Sequence, residues 1–256
     1  MRAQELLDEL GIISPDEIDV DAIAQYVGAT VKRAELIGAE ARIVGAGDDA
    51  IITVNEESTL TRQRFSVGHE LGHWMFDRGQ LDLSCDVDRQ ERYAYGTDKE
   101  SLANGFASDL LLPITLFRPR LGKRPPTLDV IRDLGNTFTT SLTATARRVV
   151  ELSDSPAMVV CSSKAKREWY KASDHLDSRL RPHRYLSDDT LAYSLLRNPG
   201  FPEATDEVDA DAWIDHPRAA HFVVVESSVK VTPELVLTVL WWKDESQIAE
   251  LDDAED

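Results

Sequence analysis

The segment RQRFSVGHELGHWMFDRG, residues 62–79, contains two of the six histidines of the chain. His69 and His73 are four positions apart, and Glu70 directly follows the first of them. No proline interrupts the stretch, and apolar residues recur at helical spacing, which predicts one α-helix from about residue 58 to residue 76. The two histidines fall one turn apart, away from the apolar stripe of that helix.

Two imidazoles at this spacing favour a metal ion. Residues four apart on a helix are separated by about 40° in projection and roughly 6 Å along the axis, so both rings can reach one ion at about 2.0–2.1 Å. Glu70 lies too far round the helix to share the same ion directly, but its carboxylate can take a proton from a water on the metal. The pattern arises by accident in roughly one chain in a hundred of this length and composition. The spacing therefore predicts a zinc site with Glu70 as general base.

A catalytic zinc ion has three protein ligands and one open position, so one ligand is still to be found. Glu100 is the preferred candidate because it begins the next predicted helix, KESLANGFASDLLLP, and Asn104 lies one turn further on. Asn104 is expected to hold the second ring nitrogen of a ligating histidine. Thr97 and Glu100 also fit a helix-capping box, which is a competing role for the same carboxylate.

Alternative third ligands follow the motif in a less regular segment: Asp77, Asp82, Asp86, Asp88 and Glu91. Zinc is the predicted metal, and manganese or iron suit the same ligand types. A donor for the developing oxyanion is also expected. The candidates, chosen by proximity in the sequence alone, are Arg62, Arg64, Tyr93 and Tyr95. The strand AIITVN, residues 50–55, is predicted to be an edge strand with which an extended substrate pairs.

Composition narrows the class of protein. A chain of 256 residues is long enough for one sizeable core or two modest domains. Its formal net charge of −18 repels phosphate backbones, so direct DNA binding is not expected. No run of eighteen apolar residues exists, which predicts no membrane-spanning segment. Cys85 and Cys161 cannot form a disulfide framework, so a reducing, cytoplasmic location is expected.

The predicted elements give an α+β chain in three parts. Residues 1–122 contain the motif helices and a small sheet, and residues 123–152 read as helix, Gly-containing turn, helix, which is typical of a helix-turn-helix-like segment. The smaller α/β domain, residues 153–256, is rich in strands, includes a helix capped by Ser187 and ends in an acidic tail that is expected to be disordered. The best candidate linker is FRPRLGKRPPT, residues 117–127.

The two motifs RQRFSVGHELGHWMFD and ESLANGFASDLLLP, in this order, resemble the ImmA/IrrE family of metallopeptidases. The resemblance implies a gluzincin-like fold, with a helical, zincin-like metallopeptidase domain over residues 1–122. It implies that His69, His73 and Glu100 bind zinc, that Glu70 is the catalytic base and that Asn104 supports the site. Many members have an acidic residue where this chain has Leu102, which is not a mapped ligand.

Members of that family cleave a helix-turn-helix repressor and so switch on phage, mobile-element or stress genes. The resemblance therefore implies a zinc-dependent endopeptidase whose partner is such a repressor. In the radiation-response branch a sensor-like domain related to GAF domains follows the helix-turn-helix-like segment. The strands after residue 153 are compatible with such a domain in their order and length.

Two other functions use the same sequence differently. A DNA-binding regulator would use residues 128–150, where Arg147 and Arg148 are the basic residues in favour and the acidic balance of the chain is against. A sensor or scaffold would hold a metal that has no catalytic role. Glu70 distinguishes the second alternative from an enzyme, because a structural metal site needs no base.

Overall fold

The computed structural model describes residues 2–77 and 98–252. Within those two ranges, no helix has both the length and the apolar character that crossing a membrane requires. Contacts divide the chain into two compact units, the first formed by Met1–Arg120 with Leu134–Ser141 and the second by Leu121–Asp133 with Leu142–Asp256. The domain boundaries placed at residues 122 and 152 from the sequence stay predictions.

The chain begins with two short helices and a three-stranded sheet. The motif helix and further helices follow. Its elements are α1 (Ala3–Glu9), α2 (Val20–Tyr26), β1 (Ala29–Ala34), β2 (Ala41–Ala46), β3 (Asp49–Asn55), α3 (Leu60–Asp77), α4 (Asp98–Leu111), α5 (Ile114–Leu121), α6 (Leu128–Phe138) and α7 (Leu142–Leu152). The helix predicted around the His-Glu motif is therefore α3, and the helix predicted around Glu100 is α4.

The three strands of the first unit form a sheet in the order β1-β3-β2. β2 and β3 are an antiparallel hairpin, and β1 pairs in parallel with the other side of β3. The prediction that AIITVN is an edge strand is wrong, because this segment is β3 and has a neighbour on each side. The sheet buries Ile43, Ile52 and Val54 and packs against α3. Among the strands of residues 2–77 and 98–252, β1 and β2 are the outer strands of this sheet.

The apolar stripe of α3 holds the motif helix in place. Val67, Leu71 and Trp74 are buried, and the indole Nε1 of Trp74 donates to the carbonyl oxygen of Val27 at 2.8 Å. α4 packs along another side of α3 and buries Ala103 against it. Because the stripe and α4 fix the rotation of α3 about its axis, the direction in which the two histidines point is also fixed.

The predicted linker is helical over its first half. α5 runs through Leu121 although it contains Pro119, because Phe117 and Leu121 lie one turn apart and are both buried. The turn predicted at Gly135 is also misplaced, since that glycine lies inside α6. The helix continues to Phe138, whose buried ring lies 5.2 Å from that of Phe117.

The chain then turns at Thr139, whose φ of 53° is in the left-handed region. The helix-turn-helix-like order of two helices is therefore present, but the turn comes four residues later than the glycine suggested. The loss of helix propensity at a glycine, about 1 kcal/mol, is outweighed here by burial of an aromatic ring one turn on.

The second unit contains a five-stranded antiparallel sheet in the order β5-β4-β8-β7-β6. α7 packs against β4 and β5, and a cluster of buried apolar residues packs on the sheet around Trp213 and Trp242. The elements are β4 (Ala157–Ser163), β5 (Lys166–Ala172), α8 (Leu191–Arg197), β6 (Ala204–Asp209), β7 (Val223–Thr232), β8 (Leu235–Trp241) and α9 (Ser246–Asp252).

Two details of this unit differ from the prediction. The N-cap of α8 is Thr190 rather than Ser187, because the Thr190 side chain accepts a hydrogen bond from the backbone of Tyr193 at 3.1 Å. The acidic tail is not disordered over residues 246–252, where α9 forms and Ile248 is buried. Ile248 belongs to the buried apolar cluster that contains Trp213 and Trp242, and this burial favours an ordered helix in an otherwise charged segment.

Candidate metal centre

The two histidines of α3 and Glu100 of α4 converge at one point. The Nε2 atoms of His69 and His73 lie 3.1 Å apart, and each lies 3.4 Å from a carboxylate oxygen of Glu100. The histidines are buried, whereas the Glu100 side chain is 42% exposed. His69 faces Oε2 of this carboxylate and His73 faces Oε1, so the two buried rings share one carboxylate group that reaches them from the surface.

These three distances fit a tetrahedral metal ion. Bonds of about 2.0–2.2 Å to tetrahedral donors place those donors about 3.3–3.6 Å apart. The two Nε2 atoms are 3.1 Å apart, each has one Glu100 oxygen at 3.4 Å, and one ligand atom from each of the three residues lies within 4.8 Å of the others. Three donors fill three corners, so a fourth position is left for water or substrate. The sequence-predicted ligand set is brought together as expected.

Asn104 fixes the orientation of the first histidine. Its Oδ1 lies 3.0 Å from Nδ1 of His69, which makes that nitrogen the protonated one and leaves the lone pair of Nε2 directed at the cluster. Glu100 and Asn104 lie one turn apart on α4, as predicted. Phe65, one turn before His69, stacks on its ring at a centroid distance of 6.4 Å. Phe65 was not among the predicted site residues, although its i−4 position relative to His69 indicates that the two rings can meet.

Glu70 is fully buried beside this cluster. Neither of its carboxylate oxygens has a hydrogen-bond partner within the part of the chain that the structure describes. Burial, with a smaller contribution from the negative charge of Glu100, raises the pKa of Glu70 to about 8. A carboxylate buried with no donor is costly, and a nearby cation with its water would compensate that cost. The orphaned Glu70 oxygens thus fit a metal and water held by the neighbouring residues.

The other residues predicted for the site are not brought to it. Arg64 donates from a terminal guanidinium nitrogen to the carbonyl oxygen of Ile18 at 3.1 Å, and Arg62 pairs with Glu40 at 3.4 Å. An oxyanion role for Arg64 stays a prediction that this contact does not support. The remaining candidates fall in the segment outside the described ranges or, for Asp77, have side chains outside them: Asp77, Asp82, Asp86, Asp88, Glu91, Tyr93, Tyr95 and the Thr97 partner of the capping box.

Replacing Asn104 with alanine is expected to weaken zinc binding by about 10- to 100-fold, because His69 loses the acceptor that fixes its tautomer. Competition with a chromophoric chelator measures the affinity. Asn136→Ala is the matched control, since Asn136 is an exposed residue of α6. Equal zinc affinity in the Asn104 variant and the control would show that the hydrogen bond to His69 has no effect on the site.

A pair of histidines on one helix, a buried glutamate beside them and a carboxylate from the next helix define a metallopeptidase-type site. A peptidase family model, described as the IrrE N-terminal-like domain, matches residues 24–150. This matched region, about half of the chain, contains all four residues of the site, so the chain carries an IrrE N-terminal-like peptidase domain. The resemblance that the two motifs predicted is confirmed.

Solved structures agree with the architecture. Eleven chains are similar, and one of them is described as a Mycobacterium tuberculosis transcriptional regulator. It is 16% identical, with a TM-score of 0.60, over 93% of this chain and 74% of its own length. At that identity the similarity concerns the fold alone, and it confirms the predicted α+β class with a strand-rich region after the helices. The search of curated proteins found no match.

Proposed function

We propose that this chain is a zinc-dependent endopeptidase that cleaves a helix-turn-helix transcriptional repressor. The observation that carries the proposal is the pairing of a three-ligand cluster with a buried carboxylate for which the described residues supply no hydrogen-bond partner. A structural metal site needs the ligands alone. A hydrolytic site also needs a base, and Glu70, which follows His69 in the sequence and is buried close enough to Glu100 to respond to its charge, supports that role.

Each residue of the site has a distinct part in the proposed reaction. His69, His73 and Glu100 would hold the metal ion, which would polarise the scissile carbonyl and lower the pKa of a water. Glu70 accepts the proton of the attacking water and then passes it to the leaving amine. Asn104 keeps His69 in the tautomer that leaves Nε2 free. An extended peptide that adds to the described part of the small sheet would pair with β1 or β2, since β3 has a neighbour on each side.

The substrate class rests on three supports. The family resemblance gives a repressor as the target, and the similar Mycobacterium tuberculosis protein is described as a transcriptional regulator, although those words describe that protein and not this chain. The net charge of −18 favours a basic partner. DNA-binding domains carry basic surfaces, so electrostatic attraction would speed the association of such a domain with this chain. The derepression of stress, phage or mobile-element genes follows from cleavage of such a protein.

The DNA-binding alternative is not favoured by the contacts of its two arginines. The guanidinium of Arg147 lies 4.9 Å from the ring centroid of Trp169, and Arg148 is buried and pairs with Glu151 at 3.2 Å. Both are therefore engaged within the second unit, where they stabilise the packing of α7. A recognition helix would instead present such residues to phosphate oxygens and base edges.

The test is cleavage of a purified helix-turn-helix repressor by the full chain. We expect fragments to appear with the zinc-loaded protein, to disappear after chelation and to return when zinc is added back. Mass spectrometry of the fragments gives the scissile bond. If the chain binds zinc at one equivalent but cleaves none of a panel of repressors and unfolded basic polypeptides, then the site is not that of an endopeptidase.

A further inference from the structure

The helices that carry the metal ligands approach each other more closely than side chains normally permit. A Cβ atom added to Gly72 would stand 2.7 Å from Cα and 3.0 Å from the carbonyl oxygen of Ala103. One turn earlier on α3, a Cβ added to Gly68 would stand 3.3 Å from Cα of Ala107. Real Cβ atoms essentially never come within 3.0 Å of backbone, so only glycine is compatible with the spacing at position 72.

The two close contacts run in opposite directions along the helices. Gly68 faces Ala107, and Gly72, one turn further along α3, faces Ala103, one turn back along α4. The helices are therefore antiparallel. Glu100, one turn before Ala103 on α4, lies beside His73, which directly follows Gly72 on α3. Each glycine also directly precedes a metal-binding histidine in the sequence. The closest approach of the two backbones is thus one turn from the point at which the ligands converge.

We propose that Gly72, supported by Gly68, is a positioning residue that sets the distance between the Glu100 carboxylate and the two histidines. The inference rests on the proposed metal site. Glu100 reaches both Nε2 atoms at 3.4 Å, while metal sites tolerate only about ±0.2 Å in their bonds. Restoring ordinary contact at position 72 requires α4 to move by several tenths of an ångström or more. Glu100, but neither histidine, moves with α4.

The test is a series of three glycine-to-alanine variants of the full chain. Gly72→Ala is expected to weaken zinc binding by about 10- to 100-fold, as loss of a supporting residue does in other metal sites. Gly68→Ala, with its milder contacts, should lose less. Gly105→Ala is the matched control, because Gly105 is also on α4 and a Cβ there would meet nothing within 4 Å. Its affinity should equal that of the wild type.

Cobalt substitution separates positioning from simple destabilisation. The visible spectrum of bound cobalt reports ligand geometry, and it should change in Gly72→Ala and, less strongly, in Gly68→Ala. Adding Ala103→Gly to Gly72→Ala should not restore the spectrum, because the closest contact is with backbone rather than with the Ala103 side chain. If Gly72→Ala does not fold, the weaker Gly68→Ala decides the question.

Two outcomes would contradict different claims. A wild-type chain that binds no zinc or cobalt contradicts the proposed metal site itself. A wild-type chain that binds, together with Gly72→Ala and Gly68→Ala variants of lower thermal stability but unchanged affinity and cobalt spectrum, overturns the positioning role and leaves the metal site intact.

Discussion

Glu70→Gln is expected to lower the rate of peptide hydrolysis by about 10²- to 10⁴-fold while the protein keeps its full equivalent of zinc. The candidate ligand group consists of the two histidines and Glu100, so the change removes no ligand. Glutamine has the shape of glutamate but cannot accept the proton of the attacking water. Since neither Glu70 oxygen has a hydrogen-bond partner among the residues described, the substitution breaks no contact that holds the fold.

The measurement is a pair of assays on the same preparation: zinc content by elemental analysis and initial cleavage rate of the repressor. Glu57→Gln is the control, because Glu57 is exposed and lies before α3. A large loss of rate with unchanged zinc identifies Glu70 as the base. Full activity in Glu70→Gln would show that another group takes the proton, and a parallel loss of zinc would show that Glu70 helps to bind the ion.

The core of this site was predictable because its geometry is local. The spacing of His69 and His73 fixes their separation once the segment is helical, and the stripe through Val67, Leu71 and Trp74 makes it helical. Glu100 and Asn104 are on a different helix, yet their one-turn spacing predicted that a ligand and its supporting residue would share a face. The structure brings Glu100 to both rings and Asn104 to one.

The errors come from interactions that a single segment does not contain. β3 alternates like an edge strand. Its position in the middle of the sheet results from its parallel pairing with β1, a strand that is not its neighbour in the sequence. Gly135 was a reasonable helix stop until burial of Phe138 against Phe117 extended the helix past it. The glycine at position 72 permits the close approach of another backbone. The sequence does not show that this backbone belongs to Ala103 of α4.

The strand-rich unit contains a buried carboxylate that the sequence pattern did not predict. Glu226 of β7 has no exposed surface and accepts four hydrogen bonds. One oxygen accepts from the backbone N–H of Leu191 and from Nε1 of Trp213, at 3.1 and 2.8 Å. The other accepts from the N–H of Ala192 and from the hydroxyl of Ser228, at 2.8 and 2.7 Å. The carboxylate therefore joins the first turn of α8 to the sheet and to Trp213.

Glu226→Gln should destabilise the second unit by about 2–4 kcal/mol, because one amide group now faces donors that cannot become acceptors. In the less costly orientation the new NH₂ group meets the Ser228 hydroxyl, which can reverse its bond, but it also meets the N–H of Ala192. That N–H is then left buried without an acceptor. The opposite orientation is worse, since the N–H of Leu191 and the indole of Trp213 are both donors only.

Urea unfolding followed by tryptophan fluorescence measures this loss, and hydrogen exchange over the first turn of α8 locates it. Glu234→Gln is the control, since Glu234 is exposed in the β7–β8 turn and its side chain holds no hydrogen bond among the contacts described. Faster exchange at residues 191 and 192, with the control unchanged, is the expected result. Equal stability of both variants would show that the four hydrogen bonds to Glu226 contribute no more free energy than the bonds of an exposed carboxylate to water. Packing around Trp213 alone would then hold α8 to the sheet.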